Sequence, residues 1–249
     1  MRTNRVFVEQ PLESDAVVEI GGSAGTHITR VLRVRPGEDL IVFDGKGGEY
    51  EARVESLRKD SAFVAVGAHR AVERESPLAI TLAQGISRGE RMDLVVQKAT
   101  ELGVRHIVPL LTGRSVVRLD RGQADAKRRH WRAIAVAACE QCGRNQVPEV
   151  AVPEGLDRFF ANASTLSAST LSGSARIVLS PHGKTRVRDL KPGTGVVLLI
   201  GPEGGLSEAE LETSVRVGFE PVRLGPRILR TETAAIAALA VIQQQLGDF

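Results

Sequence analysis

Along roughly the first 70 positions, apolar and polar residues alternate with a period of two. The alternating runs at 5–9, 16–20, 39–43, 49–55 and 62–66 predict short strands, because successive side chains of an extended chain point to opposite faces. Turn formers separate them: Pro36-Gly37 precedes the third run, and Asp44-Gly45-Lys46-Gly47-Gly48 joins the third to the fourth as a hairpin loop would. Only 27–34 has helical spacing. The pattern is that of a small β-barrel, and 71–77, with three charges and a closing proline, reads as the linker after it.

From Leu78 the pattern becomes strand, helix, strand, helix. Residues 78–84 and 106–111 are compact apolar runs, and between them Met92, Val95, Val96, Ala99 and Leu102 recur at helical spacing until Gly103 stops the run. A second helix is predicted from about 125 to 142. Residues 161–174 hold seven Ser or Thr in fourteen and predict a mobile surface excursion. Beyond them come strands at 176–179, 196–200 and 221–224 and an apolar helix at 234–246. This alternation predicts an α/β domain with a parallel sheet over 73–249, behind a barrel over 1–72.

Composition sets limits. With 42% hydrophobic and 25% charged residues, the chain can build a sizeable core. Its longest apolar stretches, 133–139 and 234–242, fall far short of the roughly 20 residues that span a bilayer, so no membrane partner is expected. The N-terminus lacks the apolar core of an export signal, which predicts a cytoplasmic protein with Cys139 and Cys142 as reduced thiols. The net charge is +3, and 27 arginines stand against 6 lysines. Guanidinium groups fork onto phosphates and stack on bases, so the bias suits RNA, although genomic base composition accounts for it equally. Aromatic residues, at 4%, are too few for a binder that stacks successive bases.

Two stretches carry candidate chemistry. The strand at 196–200 runs into Gly201-Pro202-Glu203-Gly204-Gly205-Leu206-Ser207-Glu208-Ala209-Glu210, where glycines permit a tight turn and Ser207-x-x-Glu210 is a capping box that starts a helix. Open α/β sheets bind ligands at the C-terminal ends of their strands, yet a plain strand-to-helix connection explains the spacing as well. The stretch is neither a Walker A loop nor G-x-G-x-x-G. The second, Gly225-Pro226-Arg227-Ile228-Leu229-Arg230-Thr231-Glu232-Thr233, has the same design. A carboxylate such as Glu232 is favoured at a helix N-terminus by the dipole alone, and Arg227 and Arg230 fit solvated loop charges. Neighbouring Gly-Pro loops would form a shared pocket. Other features have plain readings: Cys139-x-x-Cys142 has no second pair for zinc and fits helix packing, 127–132 is a basic helix face with Trp131 as core, and His27 and His182 are hydrogen-bonded structural groups.

Residues 201–210 together with 224–234 resemble the RsmE family of SPOUT methyltransferases, which methylate N3 of a uridine in 16S rRNA. The resemblance extends to Asn4-Arg5-Val6-Phe7-Val8, His27-x-x-x-Val31-Leu32-Arg33, Glu101-Leu102-Gly103-Val104, Thr112-x-Arg114-Ser115 and Glu140-Gln141-x-x-Arg144, nearly the whole chain in order, with the main departure at 161–174. It implies a PUA-like barrel, an α/β domain with a trefoil knot, a homodimer, and the small ribosomal subunit as partner. It assigns S-adenosylmethionine to Leu199, Ile200, Gly201, Glu203, Gly205, Leu224, Gly225, Ile228, Leu229 and Arg230, with a third wall at Ser180-Pro181-His182-Gly183, and calls for no metal. RNA docking falls to Arg5, Arg30 and Arg33 of the barrel, to Arg114, and to Arg128 and Arg129 of the basic run. Because N3 of uridine carries a proton at neutral pH, the reaction needs a proton acceptor or a stabiliser of the developing anion; the groups on offer are Arg230, Glu203 and Glu232. The rival readings are a non-catalytic RNA-binding protein of ribosome assembly and a protein that binds a nucleotide through the glycine loops; micromolar S-adenosylmethionine binding with no response to ATP would exclude both.

Overall fold

The computed structural model describes residues 3–115, 118–165, 174–190 and 193–249. The chain divides into two compact units, Met1–Glu75 with Val136–Val147, and Ser76–Ala135 with Pro148–Phe249.

In the first unit the alternating runs form β1 (Asn4–Phe7), β2 (Val17–Ile20), β3 (Asp39–Phe43), β4 (Glu49–Leu57) and β5 (Ala62–Arg70), in the order β1-β3-β4-β5-β2. All pairs are antiparallel except β1 with β3, and the glycine-rich turn joins β3 to β4. One face of the sheet buries Val6, Ile20, Leu40, Val42, Val54 and Val64 in a common core. The helix predicted over 27–34 is displaced. A short α1 (Gly22–Thr26) runs into a π-helical turn, His27–Val31, which buries Ile28. Gly-Ser-Ala-Gly-Thr has no apolar period to announce α1.

Residues 136–147 join this unit through polar and apolar contacts. Arg5 is ion-paired with Glu49 and donates to Asn145 Oδ1 at 2.6 Å, Arg144 is ion-paired with Glu75, and Asn145 donates to the Val72 carbonyl at 2.6 Å. Cys139 packs on Phe7 and Phe43, and burial pushes its thiol up to about 12, so the C-x-x-C pair is helix packing with an inert first member.

The second unit contains β6 (Ala79–Gly85), α2 (Glu90–Glu101), β7 (His106–Leu111), α3 (Arg121–Cys142, its last turns counted with the first unit), β8 (Glu149–Val150), β9 (Glu154–Gly155) and α4 (Leu156–Thr165). It continues with β10 (Ser174–Leu179), β11 (Thr185–Arg186), β12 (Gly195–Ile200), α5 (Glu208–Arg216), β13 (Glu220–Arg223) and α6 (Thr231–Leu246). Every pairing in its sheet is parallel, in the order β11-β13-β10-β12-β6-β7-β8, with β9 also on β7. β12 lies in the middle and all six of its residues are buried, which explains its unbroken apolar sequence. Trp131 is core, as its spacing suggested, and its indole N–H donates to Asp93 at 3.0 Å. The Ser/Thr-rich segment begins otherwise than predicted: 161–165 are the last turns of α4, which Phe159 and Phe160 anchor against Phe219. Residues 166–173 lie outside the described residues. Among those described, no helix is long and apolar enough to cross a membrane.

Candidate functional site

Three adjacent parallel strands, β13, β10 and β12, end at the same edge of the sheet, and the loops that follow them wall a cavity of about 600 Å3. That volume suits a small organic ligand. Leu179–His182 supply the wall after β10, Ile200–Leu206 the wall after β12, and Leu224, Gly225 and Arg227–Leu229 the wall after β13. The β10 loop lies flat against β13, because a Cβ on Gly183 would stand 2.7 Å from the Pro221 carbonyl oxygen.

The glycine loop after β12 is held from three directions. From below, Gln84 at the end of β6 donates to Thr231 Oγ1 at 3.0 Å, and Thr231 Oγ1 donates to the Gly201 carbonyl at 2.7 Å, so the first loop is tied to the start of α6. Gly85 permits that approach: a Cβ there would lie 2.4 Å from Pro202 N. From the β7 side, Glu210 accepts from Gly113 N–H and Ser207 N–H, each at 2.7 Å, while Arg114 donates to the Gly204 carbonyl at 3.0 Å. From the α2 side, Glu203 Oε1 accepts from Arg88 N–H at 2.9 Å and from Arg91 at 2.8 Å. Burial pushes the Glu203 and Glu210 carboxyls up, but these hydrogen bonds outweigh it and hold both below the usual range, so both stay ionised at neutral pH.

Gly205 and Gly225 line the cavity, and a Cβ at either would meet no protein atom within 4 Å. Gly205 also has φ +68°, a conformation that side chains rarely adopt. Both positions therefore leave cavity space open beside the apolar side chains of Ile200, Leu224, Ile228 and Leu229, while the Gly205 N–H donates to the Pro202 carbonyl at 2.8 Å. Open space and backbone next to apolar walls fit a ligand with an aromatic ring and a polar edge, and the adenosyl group is one.

Residues 74–243 match the family model of the RNA methyltransferase domain, and 20–67 match that of the RNA methyltransferase PUA domain. The chain belongs to the methyltransferase E family. Ribosomal RNA small subunit methyltransferase E of Buchnera aphidicola is 33% identical over 99% of this chain and 98% of its own length, and that of Bacillus subtilis is 33% identical over 97% and 96%. Two solved structures cover both chains completely. The methyltransferase E of Neisseria gonorrhoeae bound to S-adenosylmethionine is 37% identical with a TM-score of 0.89, and Lpg2936 of Legionella pneumophila with bound cofactor SAM is 42% identical with a TM-score of 0.93.

Against that family frame, the residues assigned by resemblance separate clearly. Ile200, Gly201, Glu203, Gly205, Leu224, Gly225, Ile228 and Leu229 are brought together around the cavity. Leu199 lies behind the wall, fully buried in the core. Arg230 and Glu232 flank Thr231, which lines the cavity, but are not themselves in the lining. Arg230 is exposed, and Glu232 lies 3.9 Å from Arg91. Of the arginines expected on RNA, Arg33 and Arg129 are exposed with no ion pair among the described residues, Arg30 is exposed and paired with Asp60, and Arg128 donates through Nε to the Val150 carbonyl at 3.0 Å. Arg114 sits at the cavity rim. Arg5 stands apart: its side chain is only 9% exposed and bonded to Glu49 and Asn145, so it ties the unit together and presents little surface to RNA. Gln84, Arg88, Arg91 and Gly113 were not foreseen as parts of the site. A polar residue closing an apolar buried strand was a usable signal for Gln84; nothing local marks Arg91.

Proposed function

We propose that this chain is an S-adenosylmethionine-dependent methyltransferase that modifies N3 of one uridine in the 16S rRNA of the small ribosomal subunit. In this reading it works in the cytoplasm as a homodimer, and its two Gly-Pro loops belong to a trefoil knot. The observation that carries the reading is the cavity walled by the loops after β10, β12 and β13 in a chain of the methyltransferase E family.

S-adenosylmethionine supplies an electrophilic methyl group on a sulfonium. Ile200, Gly201, Gly205, Leu224, Gly225 and Leu229 would hold it, apolar side chains against its ring and backbone beside its polar edges. Glu203, ionised and doubly bonded to the α2 side, shapes the rim of the loop. Arg230, exposed and outside any ion pair among the described residues, is available to stabilise negative charge on the uracil carbonyls. Arg33 and Arg129 offer free guanidinium groups to phosphates.

The test is transfer of labelled methyl from S-adenosylmethionine to small subunits from a strain lacking the enzyme, followed by mass mapping. A single N3-methyluridine in 16S rRNA is expected. Incorporation elsewhere, or into another RNA, would refute the assigned substrate. Light scattering should give about twice the 26.7 kDa of the chain.

A further inference from the structure

Among the described residues, four buried side-chain polar atoms have no hydrogen-bond partner, and three of them, Gln84 Oε1, Ser87 Oγ and Glu232 Oε2, gather where β6 ends and α2 and α6 begin. Gln84 and Ser87 are 0% and 3% exposed. Short contacts join these positions into one corner. Gln84 donates to Thr231 next to Glu232, Arg88 next to Ser87 donates to Glu203, and Arg91 reaches from Glu203 Oε1 at 2.8 Å to Glu232 Oε1 at 3.9 Å. Unpartnered buried polar atoms are costly and scarce in folded proteins, so three in one corner mark a place kept for an arriving group. Thr231 and Ala234, in the same first turn of α6 as Glu232, line the cavity.

The two carboxylates of the corner are in different states. One oxygen of Glu203 already accepts two donors. Glu232 has one oxygen toward Arg91 and the other with nothing to accept from. Uracil presents N3–H between two carbonyls, a donor flanked by acceptors. It would supply the donor that Glu232 Oε2 lacks, and a carbonyl for the Ser87 hydroxyl.

We infer that Glu232 is the residue that takes the N3 proton and that Arg91 is the positioning residue that holds it in place; this rests on the function proposed above. In the step, the N3–H bond breaks and the proton passes to Glu232 Oε2. The N3 lone pair then takes the methyl carbon as the carbon–sulfur bond breaks, with its electron pair left on sulfur, and Glu232 later releases the proton to water. The charged groups around Glu232 are Arg91, Glu203 beyond it, and Arg230 two residues before it in the chain.

Single-turnover transfer to unmodified small subunits, followed from about pH 5 to 9, tests the assignment. Glu232→Gln should be slower by about 100-fold or more at neutral pH and should gain rate with rising pH more steeply than wild type, as hydroxide takes over the proton, with donor binding retained. Glu203→Gln should weaken donor binding without steepening the pH dependence. Arg91→Ala should lower the rate at saturating donor by about tenfold, because the carboxylate is no longer held in place, and Arg91→Lys should restore most of it. Glu232→Gln with the wild-type rate and profile overturns the inference. So does an Arg91→Ala variant with the wild-type rate at saturating donor, which remains readable if Glu232→Gln fails to fold. A wild-type protein that binds donor but transfers nothing would instead refute the proposed function.

Discussion

Arg5 and Glu49 show how a pair of ordinary surface residue types becomes part of an interior. The Arg5 guanidinium lies 4.9 Å over the Phe43 ring and faces Glu49, whose side chain is 5% exposed. Burial raises the Glu49 carboxyl, but hydrogen bonds and charge from Arg5 and Arg74 outweigh it, leaving the group below its ordinary value of 4.5. A carboxyl lowered by folding binds protons less readily in the native than in the unfolded chain. Its stabilisation is therefore complete above 4.5 and disappears as pH falls through the lower folded value. Glu49→Gln leaves Arg5 as a buried charge without its partner, and should lower unfolding stability by about 3–5 kcal/mol at neutral pH. Urea unfolding at pH 7 should show the full loss, and the gap between variant and wild type should narrow in acid, where the wild-type carboxyl is protonated as well. An equal gap at both pH values would assign the loss to shape in place of charge.

At the scale of elements, much of the fold was legible because the apolar period changes where the architecture changes. β3 and β7 begin and end where alternation and apolar runs begin and end. Helix α3 starts four residues before the predicted 125, since Asp120 and Gln123 bond each other's backbone N–H groups at 2.8 and 3.0 Å, a capping pair that Gly122 disguises. Close approach between elements leaves only a glycine in the sequence. Gly85 is such a case, for strand β6 passes so near the Gly201-Pro202 turn that a methyl group would overlap backbone atoms at 2.4 and 2.8 Å. Backbone gives way less readily than a side chain end, so Gly85→Ala should displace the glycine loop. The expected loss is about 1–3 kcal/mol of stability, with donor affinity falling by roughly tenfold or more. Thermal unfolding and calorimetric titration with S-adenosylmethionine would measure the two effects. Unchanged affinity would show that the loop's grip on the donor does not depend on its seat against β6.

Across the whole molecule, the two Gly-Pro loops were readable because each is continuous in sequence, whereas the corner of Glu203, Arg91 and Glu232 joins three separated segments and exists only after folding. The arginine excess illustrates the same limit. A count of 27 cannot distinguish a guanidinium that holds the protein together from one that waits for a phosphate. The fold sorts them: Arg5 is internal, Arg114 and Arg128 bond backbone carbonyls, and Arg33 and Arg129 extend into solvent without an ion pair among the described residues. Only the last kind displaces counterions on binding RNA at no cost to internal contacts. Arg129→Ala and Arg33→Gly, the latter chosen because Arg33 has φ 52°, should each reduce the slope of log affinity against log salt by about one for small-subunit binding. Both should leave S-adenosylmethionine binding and thermal stability near wild type, while Arg5→Ala lowers stability. If the slopes do not change, RNA does not reach these two arginines, and the docking surface must lie on the other exposed basic residues, with Arg118 ahead of α3 and Arg121 at its start the next to replace.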